Sequence, residues 1–474
     1  MQKFIDREEE LKFLSERYKN PESQLIIIYG KRRIGKTELI KEFIKDKDSI
    51  YFLCDRTTEK ENLKNLGRIV GQKFNNLILA ENGFRDWYQF FNFLKESLKQ
   101  FQDNKIIIAI DEFPYLYSSN PAISSIFQKG WDEILKGLPV FLIICGSSIS
   151  MMLKQAINYS APIYGRKTGQ IFLKPLNYYD AWKFFPRLDF ARFLNIYAIC
   201  GGIPLYLKQF IPLKSINEHL IDNIFNKFSI LYNEGEIILS EELSELRIYF
   251  TTLKALSLGK TKFGEIINYT GIAKTSMHKY LYVLEKLQLT KKEVPVTEEK
   301  PEKSRKGIYK IIDPFFGFWF KYVLPFKSEL EMADFSNVLN YFNEHFGLTL
   351  TMVYQDICID ILRTRLKDIF NFNRIGRWWD FIGKKQVEID VVAINTGAKD
   401  KQILFGEAKW SNKKTGINIL DELKEKSRFV NWNNASRKEK FILFSKSGFT
   451  DELLRFAKSE KDLILVEKDE VLKF

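Results

Sequence analysis

Eight consecutive residues, Gly30-Lys31-Arg32-Arg33-Ile34-Gly35-Lys36-Thr37, constrain this chain more than any others. They follow an unbroken apolar run, Leu25-Ile26-Ile27-Ile28-Tyr29, and lead into Glu38-Leu39-Ile40-Lys41-Glu42-Phe43-Ile44, whose spacing is helical. The pattern is GxxxxGK[ST] in the strand, loop and helix context that it requires. Glycines let backbone N–H groups wrap phosphates, and the following helix presents its positive end. Lys36 is then expected against β/γ oxygens and the Thr37 hydroxyl on Mg²⁺, which makes ATP with Mg²⁺ the expected ligand. The bland alternative is a glycine-rich turn that binds nothing.

Two further apolar runs fit the same sheet. Ile106-Ile107-Ile108-Ala109-Ile110 ends in Asp111-Glu112, so two carboxylates emerge at the carboxyl end of a buried strand. Asp111 is the candidate to hold magnesium through water and Glu112 the candidate to polarise the attacking water. Val140-Phe141-Leu142-Ile143-Ile144-Cys145-Gly146 ends at Ser147-Ser148. A small polar side chain there either reaches the γ-phosphate or the attacking water, or serves as an N-cap, with Ser148 or Ser150 capping the helix that follows.

Size and composition set the frame. At 474 residues, with 45% hydrophobic residues, the chain is too long for one ordinary core and apolar enough for several. No apolar run approaches the roughly 18 residues that a membrane-spanning helix needs, so a cytoplasmic protein with no membrane partner is expected. The four cysteines, Cys54, Cys145, Cys200 and Cys358, are scattered, and with three His they suggest reduced core residues and no zinc site. The net charge of +13 points toward an acidic polymer, and residues 371–446 alone contribute +7.

These islands resemble the archaeal-type AAA+ ATPases related to the STAND group. The resemblance rests on Phe4-Ile5-Asp6-Arg7-Glu8, the phosphate loop, IIIAIDEFPYL, CGSS, Ala161-Pro162-Ile163-Tyr164-Gly165-Arg166 and Gly201-Gly202-Ile203-Pro204-Leu205-Tyr206-Leu207. It implies adenine contacts near the first island, sensor duty for Ser147, an arginine finger at Arg166 and a lid at Gly201–Leu207.

Beyond the nucleotide core over 1–174, helical spacing broken by Pro186 and Pro204 predicts a small helical lid over 175–240. Three helices then follow, over 247–260, 263–269 and 274–289, with Thr270-Gly271-Ile272 as the turn. Lys274, Thr275, Ser276, His278 and Lys279 open the last of them, where bases or phosphates would be met. The charged hairpin tip from Lys291 to Lys310 completes a winged helix over 241–329, which reads DNA or serves as a protein-docking spacer. The aromatic stretch Pro314–Phe320 suits a buried helix better than a base-stacking platform.

The final part, 330–474, is α/β. Asp390 and Glu407 lie on consecutive strands and would project to one side as a divalent-metal site, with Lys409 on the same face to orient water. This resembles the PD-(D/E)XK restriction-endonuclease-like fold. Its nuclease-active members offer a Glu on the preceding helix where this chain has Gln355, so that Asp356 or Glu388 substitutes, or metal binding is weakened.

The expected fold is therefore a multi-domain α/β chain: a P-loop parallel sheet with a helical lid, a winged helix and a nuclease-like domain. The expected function is an ATP-hydrolysing switch with nucleic acid as partner, DNA ahead of RNA. A nucleotide-gated scaffold that binds protein is the rival, and a homo-oligomer stays open.

Overall fold

The computed structural model describes residues 4–98, 105–210, 214–367, 369–397 and 401–472. They form two compact units. The first comprises 1–184, 202–209 and 236–244, and the second comprises 185–201, 210–235 and 245–474.

The first unit is built on five parallel strands: β1 (Gln24–Tyr29), β2 (Ser49–Leu53), β3 (Ile106–Asp111), β4 (Val140–Gly146) and β5 (Gly169–Phe172). Their order is β2-β3-β4-β1-β5. Every residue of β1, β3 and β4 is buried, which is why these strands read as continuous apolar runs rather than alternating ones. Helices α1 (Glu8–Lys19) and α2 (Lys36–Ile44) cover one face, where Tyr18 and Phe43 meet Phe141 edge-on or tilted. Helices α3 (Glu59–Lys73), α4 (Trp87–Leu98), α5 (Phe113–Ser119) and α6 (Ile123–Glu133) supply the aromatic core against the other face, around Trp87, Phe90, Phe91 and Phe127. Among its shorter pieces are α7 (Ile149–Met152), directly after β4, and the part of α8 (Glu234–Glu242) from residue 236 on.

The expected lid over 175–240 is not one body. Residues 202–209 and 236–244 pack with the nucleotide core, while 185–201 and 210–235 pack within the second unit. Helical periodicity reports that a segment has an apolar face, not which core that face joins.

In the second unit, α9 (Leu246–Ser257), α10 (Phe263–Thr270) and α11 (Lys274–Lys286) enclose a small core of Leu256, Ile266, Met277, Leu281 and Tyr309. Gly271 ends α10 in the left-handed conformation that a β-carbon disfavours, φ 68°. The antiparallel ribbon β6 (Thr290–Glu293) and β7 (Ile308–Ile311) follows. The aromatic stretch is core as expected, with Phe315, Phe316, Phe318, Trp319 and Phe320 all buried. The long helix α12 (Ser336–Thr364) precedes a six-stranded sheet of β8 (Arg374–Ile382), β9 (Lys385–Ile394), β10 (Gln402–Lys409), β11 (Lys438–Ser445), β12 (Leu463–Glu467) and β13 (Glu470–Val471). The order is sequential; β8, β9 and β10 pair antiparallel, and β10, β11 and β12 pair parallel. Parallel neighbours need crossovers, supplied by α13 (Ile417–Ser427) and α14 (Asp451–Ser459).

The ribbon is not a free wing. Val296 packs into the core of the six-stranded sheet, and its N–H donates to Arg377 O at 3.0 Å. At the ribbon base Lys310 contacts Glu293 at 3.2 Å and Asp356 at 3.0 Å, and Arg377 contacts the same two carboxylates at 3.3 and 3.2 Å. Burial would raise the Glu293 carboxyl, but Lys310, Lys291 and Arg377 outweigh it and hold the group below its ordinary value. All four cysteines are free thiols and buried, two in each unit.

Breaking this cluster from one side leaves buried cations uncompensated. Glu293→Ala is expected to destabilise the second unit by about 3–5 kcal/mol, read as an earlier transition in urea. The stabilisation from Glu293 is full at neutral pH and is lost as pH falls through its depressed folded-state value, so the gap between the two proteins narrows in acid.

Candidate functional site

The loop between β1 and α2 takes the shape its glycines allow. Gly30 has φ 153°, and a β-carbon there would lie 2.4 Å from Leu173 O. Gly35 caps α2 at φ 92° with no side chain on the helix end, so the first-turn amides face the loop interior. Arg33 also adopts positive φ, at 67°, while Ile34 is fully buried and anchors the loop in the core. Lys36 is folded back over the loop, donating to Gly30 O at 3.0 Å and Lys31 O at 2.8 Å. Burial pushes its ammonium pKa down.

Of the two carboxylates at the end of β3, Asp111 meets the start of α2 and Glu112 turns to the end of β4. The Thr37 hydroxyl donates to Asp111 Oδ2 at 2.7 Å, and the Tyr51 hydroxyl donates to the same oxygen at 2.9 Å. Thr37 and Asp111 thus bring together the hard oxygens that magnesium takes. Glu112 sits at φ 56°, an uncommon conformation for a residue with a side chain. Its Oε2 accepts from Ser147 Oγ at 2.7 Å and from Ser147 N at 3.3 Å. The capping role falls to Ser148, whose Oγ accepts from Met151 N.

A cavity of about 630 Å³ opens beside the loop, lined by Phe4, Ile5, Gly35, Leu176, Phe184 and Pro204 among others. Arg7 fixes its wall by donating to Ile34 O at 3.3 Å and Lys174 O at 2.8 Å.

Arg166 is not part of this assembly. Its guanidinium is held by Asp132, 2.9 Å away, and it lines a separate cavity of about 740 Å³ with Pro21, Ser23 and Pro139, residues that precede β1 and β4. That is the amino-terminal end of the parallel sheet, whereas the phosphate loop is at the carboxyl end. Arg166 therefore does not reach the chain's own phosphate loop. Conversely, no sequence pattern points to Tyr51, to Tyr115, whose hydroxyl accepts from Arg32 at 3.0 Å, or to Glu241, 2.5 Å from Arg32.

In the second unit Asp390 and Glu407 are brought together as expected, where the β9–β10 pairing reaches Val391 and Gly406. Asp390 accepts from Gln355 Nε2 at 2.7 Å and from Ala408 N at 2.9 Å. Both Glu407 oxygens are taken by ammonium groups: Lys409 at 2.8 Å, and Lys426 of α13 at 3.2 and 3.1 Å. Lys426 has no signal in the sequence, since it lies one crossover away.

The partners of Asp390 and Glu407 in this structure are thus an amide, a backbone N–H and two ammonium groups. Asp356 is turned to Lys310 and Arg377, Glu388 is exposed, and among the described residues no group of three or more acidic, His or Cys side chains could hold a metal. Burial first, and the Glu407 charge second, raise the Asp390 carboxyl to about 7.

Residues 4–210 match the model of a family described as an ATPase domain predominantly from Archaea, and 319–422 match one described as archaeal and bacterial proteins of unknown function. An uncharacterized protein of Methanocaldococcus jannaschii is 35% identical over 432 residues, 90% of this chain and 92% of that one. A second protein of that organism is 44% identical over 93 residues, 19% of this chain and 82% of that one. The solved structure of a Walker-type ATPase of Pyrococcus abyssi shares the fold, with a TM-score of 0.51 at 20% identity over 67% of this chain and 96% of that one. Among the described residues no helix is long and apolar enough to cross a membrane.

A carboxyl raised on folding costs stability once pH exceeds its unfolded value, and the cost is complete above its folded value. Asp390→Asn is therefore expected to stabilise the second unit at pH 8, on the order of 2 kcal/mol, and to change little at pH 4, as read from denaturation midpoints at the two pH values.

Proposed function

The chain belongs to the same family as the M. jannaschii relative, with an ATPase domain of the archaeal type over residues 4–210, and on that premise we propose that it is an ATP-hydrolysing switch whose nucleotide state governs a nucleic-acid-engaging second unit. The observation that carries the reading is the set of contacts at the carboxyl ends of the strands: Lys36 over the phosphate loop, Thr37 on Asp111, and Ser147 on Glu112, the residue next to Asp111.

The amides from Gly30 to Thr37, flanked by Lys31, Arg32 and Arg33, wrap the phosphates, and Lys36 exchanges its two loop carbonyls for β/γ oxygens. Thr37 and Asp111 would hold Mg²⁺, which neutralises charge on the phosphates. Glu112 takes the proton of the attacking water, and Ser147 keeps that carboxylate aimed. The cavity beside α2 takes the adenine, with Phe4, Ile5 and Phe184 for its ring faces and a rim that includes Glu38, Lys41 and Lys208.

In the second unit the helices α9 to α11 and the ribbon are read as a winged helix. Lys274, Thr275, Ser276, His278 and Lys279 are all exposed at the start of α11. Because the ribbon is occupied in packing against β8, contact with phosphates rests on this helix and on the basic last domain, with DNA favoured over RNA. That domain is read as nuclease-like in fold but as a binder: Glu407 is neutralised by two lysines and Asp390 is paired with an amide, which favours holding a phosphate-bearing strand over metal-assisted cleavage.

Two experiments test the reading. Glu112→Gln is expected to retain ATP while turnover falls about 10²-fold or more, and Lys36→Ala to lose nucleotide binding; unchanged turnover in Glu112→Gln removes the assigned base. Duplex DNA is expected to bind in EDTA with a steep loss of affinity as salt rises and to survive uncut with Mg²⁺ or Mn²⁺. A shallow salt slope favours a protein-binding scaffold, and cutting that Asp390→Ala abolishes restores the nuclease.

A further inference from the structure

Two consecutive carboxylates at the carboxyl end of α8 hold two parts of the nucleotide site. Glu241 Oε2 lies 2.5 Å from Arg32 Nε, on the third residue of the phosphate loop. Glu242 accepts from Ile149 N at 2.8 Å, from Ser150 N at 3.0 Å, and from the Ser148 and Ser150 hydroxyls at 3.2 and 2.7 Å. Those residues directly follow Ser147, which grips Glu112. Arg32, Glu241, Glu242, Ser148, Ser147 and Glu112 thus form a chain of contacts from the phosphate loop round to the water-activating carboxylate.

The arrangement is costly in three ways. Acidic groups in the last turn of a helix oppose its dipole, and two adjacent ones repel. Glu241 Oε2 is buried and has no directed hydrogen bond, so the Arg32 contact is a charge contact alone. The Arg32 head is otherwise bound only to the Tyr115 hydroxyl among the contacts described. A guanidinium held by one imperfect carboxylate contact, on a loop shaped for phosphates, is free to take a better-matched anion, since guanidinium and phosphate pair bidentately.

We propose that Glu241 determines the preference for triphosphate: it competes with the γ-phosphate for Arg32, so that ATP, and not ADP, draws Arg32 away and releases the Glu241–Glu242 end of α8. This rests on the nucleotide reading above and adds to it a discriminating pair, Arg32 and Glu241. A ligand shifts such an equilibrium only by its differential affinity for the two arrangements, and the γ-phosphate supplies that difference where the β-phosphate does not reach.

The test is a double-mutant cycle on binding, with a fluorescent ADP and a fluorescent non-hydrolysable ATP analogue titrated into the full chain. Glu241→Gln, which keeps the shape and removes the charge, is expected to tighten the ATP analogue about 5- to 10-fold and leave ADP within about 2-fold. Arg32→Ala is expected to lose the preference for the analogue, and Glu241→Gln added to it to have no further effect. Equal changes for both nucleotides, or an effect of Glu241→Gln that persists without Arg32, overturn the proposal. Wild-type protein that binds neither nucleotide overturns the ATPase reading instead. A second measurement needs no variant: amide exchange over 238–244 and at Ile149 and Ser150 is expected to quicken with the ATP analogue and not with ADP, and identical exchange with both also overturns it.

Discussion

A single carboxylate, Asp111, joins the sheet of the first unit to its loop. It sits at the end of a fully buried strand, and its Oδ2 accepts two hydroxyls, one from the first turn of α2 and one from β2. Burying a carboxylate is costly unless its oxygens are satisfied, so Thr37 and Tyr51 are fixed in place by the need to satisfy it. The same strand end forces Glu112 into a left-handed conformation, and that turn aims its carboxylate at Ser147. Strain in one residue thereby orients a carboxylate toward the end of the neighbouring strand.

The second unit shows the opposite use of charge. Glu293, Lys310, Arg377 and Asp356 neutralise one another where the ribbon, α12 and β8 meet, and they leave the ribbon unable to act as a free wing. Glu407 is likewise balanced by Lys409 and Lys426. Ion pairs of this kind set geometry more than they add stability. Here they tie the three-helix segment, the ribbon and the six-stranded sheet into one compact body.

The sequence made the nucleotide core legible because parallel strands buried on both faces leave unbroken apolar runs, and because the loop needs glycine at Gly30 and Gly35 for reasons of backbone shape alone. Asp390 and Glu407 were legible for a similar reason: a hairpin with period-two alternation puts both on one face. The place of Arg166 beside Asp132 was not legible, because order along the chain does not say which end of a sheet a residue occupies. Glu241 and Lys426 were invisible because each arrives from a helix remote in sequence, on elements whose own periodicity concerns only their packing. The divided lid was unreadable on the same ground.

Each unit carries two sealed thiols, Cys54 and Cys145 in one, Cys200 and Cys358 in the other. Burial drives all four well above the ordinary cysteine range, so none offers a thiolate to a reagent while its core stays closed. Alkylation must then await opening, and its rate at each position becomes a local clock for breathing of the surrounding core. The chain thus carries a built-in pair of gauges for each unit, by which the loosening of one body could be timed separately from that of the other.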